Sequence, residues 1–179
     1  MSYLPIKGWR KIFSPWTKCQ SLTLEEQYDK GIRYFDIRVR KVGSEGWWYC
    51  HNKAIFVPVM EHKELLEFLI EKKVNVRIIL DERKEPKDAA LYKSDFLDLI
   101  DWLKYNGMKV DSAIVYWTWQ EYEDPKIIQD EYHASVSAPW YQYILGTKWF
   151  AKHYNKKYLE CHQHSCDDAV ILMDYIEEQ

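Results

Sequence analysis

Apolar and polar positions along this chain follow two different periods, and the switches between them mark out its elements. In residues 32–40, IRYFDIRVR, a period of two places Phe35, Ile37 and Val39 on one face and Asp36, Arg38 and Arg40 on the other, which predicts a half-buried strand. A turn over Gly43 to Gly46 leads into a second short strand at 47–51, WWYCH. Residues 74–82, VNVRIILDE, predict the most apolar strand. Residues 112–119, SAIVYWTW, and 169–176, AVILMDYI, predict two more.

Between these strands the period lengthens to that of a helix. Thr23 and Glu26 form a capping-box signature that opens a helix over 24–30, and Gly31 ends it. Leu65, Leu66, Phe68, Leu69 and Ile70 stripe a helix within 59–73. Leu91, Phe96, Leu97, Leu99, Ile100 and Leu103 stripe another over 91–105, with Gly107 as its stop. Residues 149–158 also read as helical. The first 21 residues read as irregular chain packed by Trp9 and Trp16, and 120–148 as short pieces punctuated by Pro125, Pro139 and Gly146.

Strands alternating with helices predict a mostly parallel sheet with helical crossovers. A full eight-unit barrel takes about 250 residues, and this chain has 179. The expected fold is therefore α/β, a small, distorted or incomplete TIM-like barrel with mostly parallel strands. It is expected to form one domain over residues 1–179.

Composition narrows the function. The formal net charge is -3 without a long basic run, so no nucleic-acid partner is expected. No run of 18 apolar residues predicts a membrane span, and the opening MSYLPIKGWRKIF lacks a signal-peptide core. The chain is expected in the cytoplasm, where Cys19, Cys50, Cys161 and Cys166 would be free thiols. Nine Trp and fourteen Tyr supply core rings and a rim able to stack on a sugar or lipid headgroup. Any membrane contact would be interfacial and transient, through exposed rings.

The chemistry-bearing residues gather at the carboxyl ends of the predicted strands, where α/β sheets build their sites. They are Asp36, Arg38, His51, Asp81, Glu82 and Asp174. An imidazole exchanges protons near neutral pH. A guanidinium presents a donor fork matched to phosphate oxygens. A carboxylate can orient the imidazole or hold a divalent cation. The set suits a phosphodiester; the competing reading is an ion-pair network without turnover. Trp117 and Trp119 share a strand face and are candidates for substrate stacking, with core packing as the alternative. The run Cys161-His162-Gln163-His164-Ser165-Cys166 carries zinc-type ligands but no zinc-finger spacing, and is read as a polar loop. His62 and His153 read as solvated helix residues.

The segment from Trp16 to Gln27, followed by Gly31-Ile32-Arg33-Tyr34-Phe35-Asp36-Ile37-Arg38, resembles the early part of the X domain of bacterial-type phosphatidylinositol-specific phospholipase C. The specific likeness covers residues 16 to 51; the rest of the chain follows the family's order of elements more loosely. The resemblance implies a distorted TIM barrel. It also implies a reaction in which the inositol 2-hydroxyl attacks phosphorus, giving a cyclic phosphodiester and diacylglycerol. On that likeness Arg38 matches the arginine that neutralises phosphate charge in place of calcium. His51 matches the general-acid histidine, so His51→Ala is expected to reduce turnover sharply. Asp36 matches an acidic position of the same strand, and Asp81 or Glu82 a variable rim position.

One feature departs from the family. Its first histidine, the general base, belongs in a Pro-Gly-x-His context, and the corresponding stretch Leu4 to Arg10 has none. His133 and Asp174 are the candidates to substitute. No cofactor is expected; the alternative is one divalent cation such as calcium on Asp36, Glu82 and Asp174. Three readings follow: a phosphodiesterase for an inositol phospholipid or related glycerophosphodiester, a phosphate-binding module that lost its base, or a metal-dependent glycerophosphodiesterase-like enzyme. The expected partner is a small phosphodiester or a lipid headgroup.

Overall fold

The computed structural model describes residues 6, 8, 21–51, 54–82, 84–116, 120–121, 127–129, 148–149, 151 and 170–172. Helix α1 (Leu24–Asp29) begins at the expected cap. Thr23 Oγ1 accepts from the Glu26 amide at 3.2 Å, and a Glu26 carboxylate oxygen accepts from the Thr23 amide at 2.8 Å. Gly31 (φ 96°) ends it, in a backbone region that side chains other than glycine rarely enter.

The main sheet contains β1 (Tyr34–Lys41), β2 (Trp47–His51), β3 (Ala54–Pro58), β4 (Asn75–Leu80), β5 (Lys109–Val115) and β6 (Gln120–Glu121), in the order β3-β2-β1-β4-β5-β6. Helices α2 (Lys63–Glu71) and α3 (Ala89–Tyr105) make the crossovers from β3 to β4 and from β4 to β5. β1, β4 and β5 run parallel, Phe35 opposite Val76 and Ile78 opposite Ala113. The expected parallel sheet is thus confined to the centre, since β2, β3 and β6 join antiparallel. The antiparallel edge arises because the connections after β1 and β2 are too short for a helical crossover.

Residues 54–58, which the pattern left unassigned, form β3. Pro58 and a 3-10 turn at Val59–Glu61 then delay the following helix to residue 63. The last strand also differs from expectation. β8 (Val170–Leu172) pairs with β7 (Ile127–Gln129) in a separate two-stranded parallel sheet. Among the described residues no strand closes the main sheet into a barrel.

The sheet has two unlike faces. On the helix side, Phe35, Ile37 and Val39 of β1 and Val76, Ile78 and Leu80 of β4 meet Leu65, Leu66 and Leu69 of α2 and Phe96, Leu99, Ile100 and Leu103 of α3. Each such side chain contributes about 1.5–3 kcal/mol on leaving water. Lys41 pins α3 to the end of β1 through an ion pair with Asp95. The opposite side carries Asp36, Arg38 and Arg40 of β1, and it holds the candidate site.

Candidate functional site

Strand register decides which groups meet on this polar side. Paired residues in neighbouring strands share a face. Asp36 is opposite Arg77 of β4, and Arg38 is opposite Ile79. On β5 the register shifts by one residue after Val110, so exposed Asp111 is skipped and Ser112 comes level with Arg77. The bulge therefore brings a buried hydroxyl onto the polar side. Ser112 Oγ has no hydrogen-bond partner among the described residues.

Asp36 is shared by two arginines. Its Oδ1 accepts from Arg77 Nε at 2.7 Å, and its Oδ2 from Arg38 Nε at 3.3 Å. Burial pushes the Asp36 carboxyl up, but the charges of Arg77 and then Arg38, with their hydrogen bonds, outweigh it and hold the group below its ordinary value. It is the charged form that this pocket keeps.

A second pair lies one step toward the carboxyl end. Arg40 donates from Nε to the Asp81 carbonyl at 2.9 Å, and a terminal nitrogen reaches the same oxygen. Its guanidinium also approaches the Asp81 and Glu82 carboxylates at 3.9 and 3.5 Å. The Asp81 amide donates to the Val39 carbonyl at 2.9 Å, which locks the strand end against β1. Arg38, Arg40 and Arg77 thus face Asp36, Asp81 and Glu82, three cations against three anions.

Cys50 is buried on this side too, opposite Ile55 of β3. Burial pushes its thiol up and the Asp81 charge adds to that, while Arg40 and Arg38 oppose. The thiolate is disfavoured, so Cys50 is no nucleophile near neutral pH.

His51 closes β2, next to the end of the described segment. Tyr49 pairs with Val39, and His51 with Ala54; Tyr49, Val39 and Ala54 all belong to the helix-side core. Strand alternation puts His51 in that phase, one residue away from the phase of Cys50 and the arginines. The sequence spacing between Arg38 and His51 could not reveal this, because it fixes neither the hairpin length nor the pairing.

Asp36, Arg38, Asp81 and Glu82 do share one side. Trp117, Trp119, His133 and Asp174 lie outside the described residues, as do His153 and the Cys161–Cys166 run. Arg77 was not singled out by the sequence reading. Its signal was present: it is the one charge inside the apolar run VNVRIIL.

Among the described residues no three His, Cys, Asp or Glu side chains converge on a common point for a metal ion. An open groove of about 390 Å³, lined by Lys41, Trp47, Met60, Asp95 and Trp102 among others, belongs to the helix side and is separate from the arginine row.

No family model and no curated protein matches the sequence. Among solved structures, the fold is similar to that of phosphatidylinositol-specific phospholipase C from Listeria monocytogenes. The TM-score is 0.62 with 14% identity, over 99% of this chain and 86% of that one. The class this defines is a mixed α/β fold similar to that of the phospholipase C. At that identity the likeness concerns the fold.

Proposed function

We propose that this chain is a phosphodiesterase of phospholipase C-like type, which receives the phosphate of a small phosphodiester or lipid headgroup at Arg38. The observation that supports this reading is the placement of Arg38. It stands on the polar side of a central parallel strand, in a phospholipase C-like fold, with its Nε bound to an ionised Asp36. A guanidinium anchored through Nε keeps its orientation when an anion approaches its terminal nitrogens. The role of Arg38 is to neutralise charge that builds on the phosphoryl oxygens. This reading routes no proton through His51. His133 and Asp174 remain its candidates for proton transfer.

A second reading, a phosphate-binding module without turnover, is favoured by two observations. His51 lies in the helix-side phase, and among the described residues the cations and anions of the polar side balance. In either case the substrate class is a phosphodiester.

The deciding experiment offers wild type, Arg38→Ala and His51→Ala three substrates: phosphatidylinositol vesicles, glycerophosphoinositol and bis(p-nitrophenyl) phosphate, each with and without chelator. Turnover that falls about 10²–10³-fold in folded Arg38→Ala and persists in His51→Ala supports the enzyme reading. Binding of these compounds without product favours the binding module. Neither binding nor product overturns both. Loss of turnover in folded His51→Ala would restore the imidazole as the general acid.

A further inference from the structure

The two arginines on Asp36 are not equivalent. Arg77 has only 4% of its side chain exposed and sits within β4, hydrogen-bonded on both sides by β1 and β5. Arg38 has 20% of its side chain exposed and lies closer to the carboxyl end of the sheet. The carboxylate between them is thus held from a rigid side and offered to a looser one.

We propose that Arg77 is a positioning residue for Arg38: it fixes the Asp36 carboxylate, and that carboxylate fixes the guanidinium that receives phosphate. The proposal rests on the reading of Arg38 as the phosphate contact. A free arginine side chain samples many rotamers, and ordering it during binding costs affinity. A guanidinium already clamped at Nε has less freedom to lose. Spacing supports the relay. The Arg77 Nε contact, at 2.7 Å, is short and charge-assisted, whereas the Arg38 contact, at 3.3 Å, is longer and can adjust.

The arrangement also links the clamp to protonation. The charges acting on Asp36 are Arg38 from its own strand and Arg77 from β4. Further along the same side, Arg40 is engaged with Asp81 and Glu82, and Cys50 of β2 is a neutral thiol. Without Arg77, Arg38 is the one cation among the described residues left to oppose the burial of Asp36, and the carboxyl rises toward the neutral form. Protonated Asp36 is a weak anchor for Arg38, so phosphate affinity should then fall toward acid.

The test uses the full chain and dimethyl phosphate, a diester whose single charge is constant from pH 5 to 8. Binding is measured by calorimetry across that range for wild type, Arg77→Met, Arg77→Lys, Asp36→Asn and the Asp36→Asn/Arg77→Met double variant. Urea unfolding checks each fold. Wild type should bind with a flat profile. Arg77→Met should bind more weakly than wild type, and the deficit should widen as pH falls from 8 to 5. Arg77→Lys should recover part of the loss. Asp36→Asn and the double variant should agree within about twofold, because Arg77 acts only through Asp36. If Arg77→Met fails to fold, that last comparison carries the test. A wild type that binds no dimethyl phosphate overturns the phosphate reading and the role together. A binding wild type matched by a folded Arg77→Met, or a double variant weaker than Asp36→Asn by the full Arg77 effect, overturns the role alone.

Discussion

Replacing Asp36 by alanine strands a buried guanidinium, and the cost can be worked from the geometry. Two hydrogen bonds disappear. The one to Arg38, at 3.3 Å, joins groups that are each about one-fifth exposed, so water replaces much of it and little stability is lost. The one to Arg77, at 2.7 Å, joins the carboxylate to a side chain only 4% exposed. Breaking a buried pair by deleting one partner costs about 3–5 kcal/mol. Asp36 itself is 22% exposed, so some water follows into the gap and the lower end applies. Asp36→Ala should therefore lose about 3 kcal/mol, and its Tm should drop about 6–12 °C for a domain of this size.

The pH dependence has a defined sign. The folded-state pKa of Asp36 is lowered, so its contribution is complete above the unfolded value, near 3.9, and fades as pH falls through the lower folded value. The gap between wild type and Asp36→Ala should be flat from pH 5 to 8 and shrink below about pH 4. Urea unfolding, with unchanged m-values, measures both. A loss under about 1 kcal/mol at pH 7 would refute the claim that Arg77 depends on this carboxylate, given the expected scale for buried pairs. So would an Asp36→Ala/Arg77→Met variant as unstable as the two single losses added together.

Three further outcomes follow from local features. Thr23→Ala removes the hydroxyl that accepts from the Glu26 amide, while the backbone amide of residue 23 can still donate to Glu26; it should cost about 1 kcal/mol by urea unfolding, with Thr23→Ser restoring it. Ser112→Ala removes a buried hydroxyl that has no partner among the described residues, so stability should stay within about 0.5 kcal/mol or rise; a larger loss would mean that the hydroxyl is bonded. Cys50 should resist iodoacetamide in the native state at pH 8 and react once urea unfolds the chain. Peptide mapping by mass spectrometry distinguishes it from the other thiols, and rapid native labelling would show that its burial is not maintained.

Much of the centre was legible in the pattern. The alternation in 34–40 assigned Phe35, Ile37 and Val39 to the core and Asp36, Arg38 and Arg40 to the other side, and the burial of these residues agrees. The capping box and the helix-ending glycines were readable because a few adjacent residues supply all of the physics. Strand β3 was missed because AIFVP is short, apolar and closed by proline, so it has no period to read. Arg77 was passed over because its partner lies 41 residues away in sequence. The relation of Arg38 to His51 was not legible for a related reason: the period of two shows which residues of a strand share a face, but gives no phase relative to the neighbouring strand.

The sequence by itself determined the alternation of central strands and helices, the two faces of β1, and a supply of arginines and carboxylates near the strand ends. Those properties arise from backbone periodicity and from side chains close along the chain. Only the tertiary structure decided that β2 and β3 turn back antiparallel, that a skipped residue brings Ser112 level with Arg77, and that Asp36 belongs to Arg77 as much as to Arg38. Such choices depend on hydrogen-bond register between distant segments, where a shift of one residue moves a side chain through the sheet.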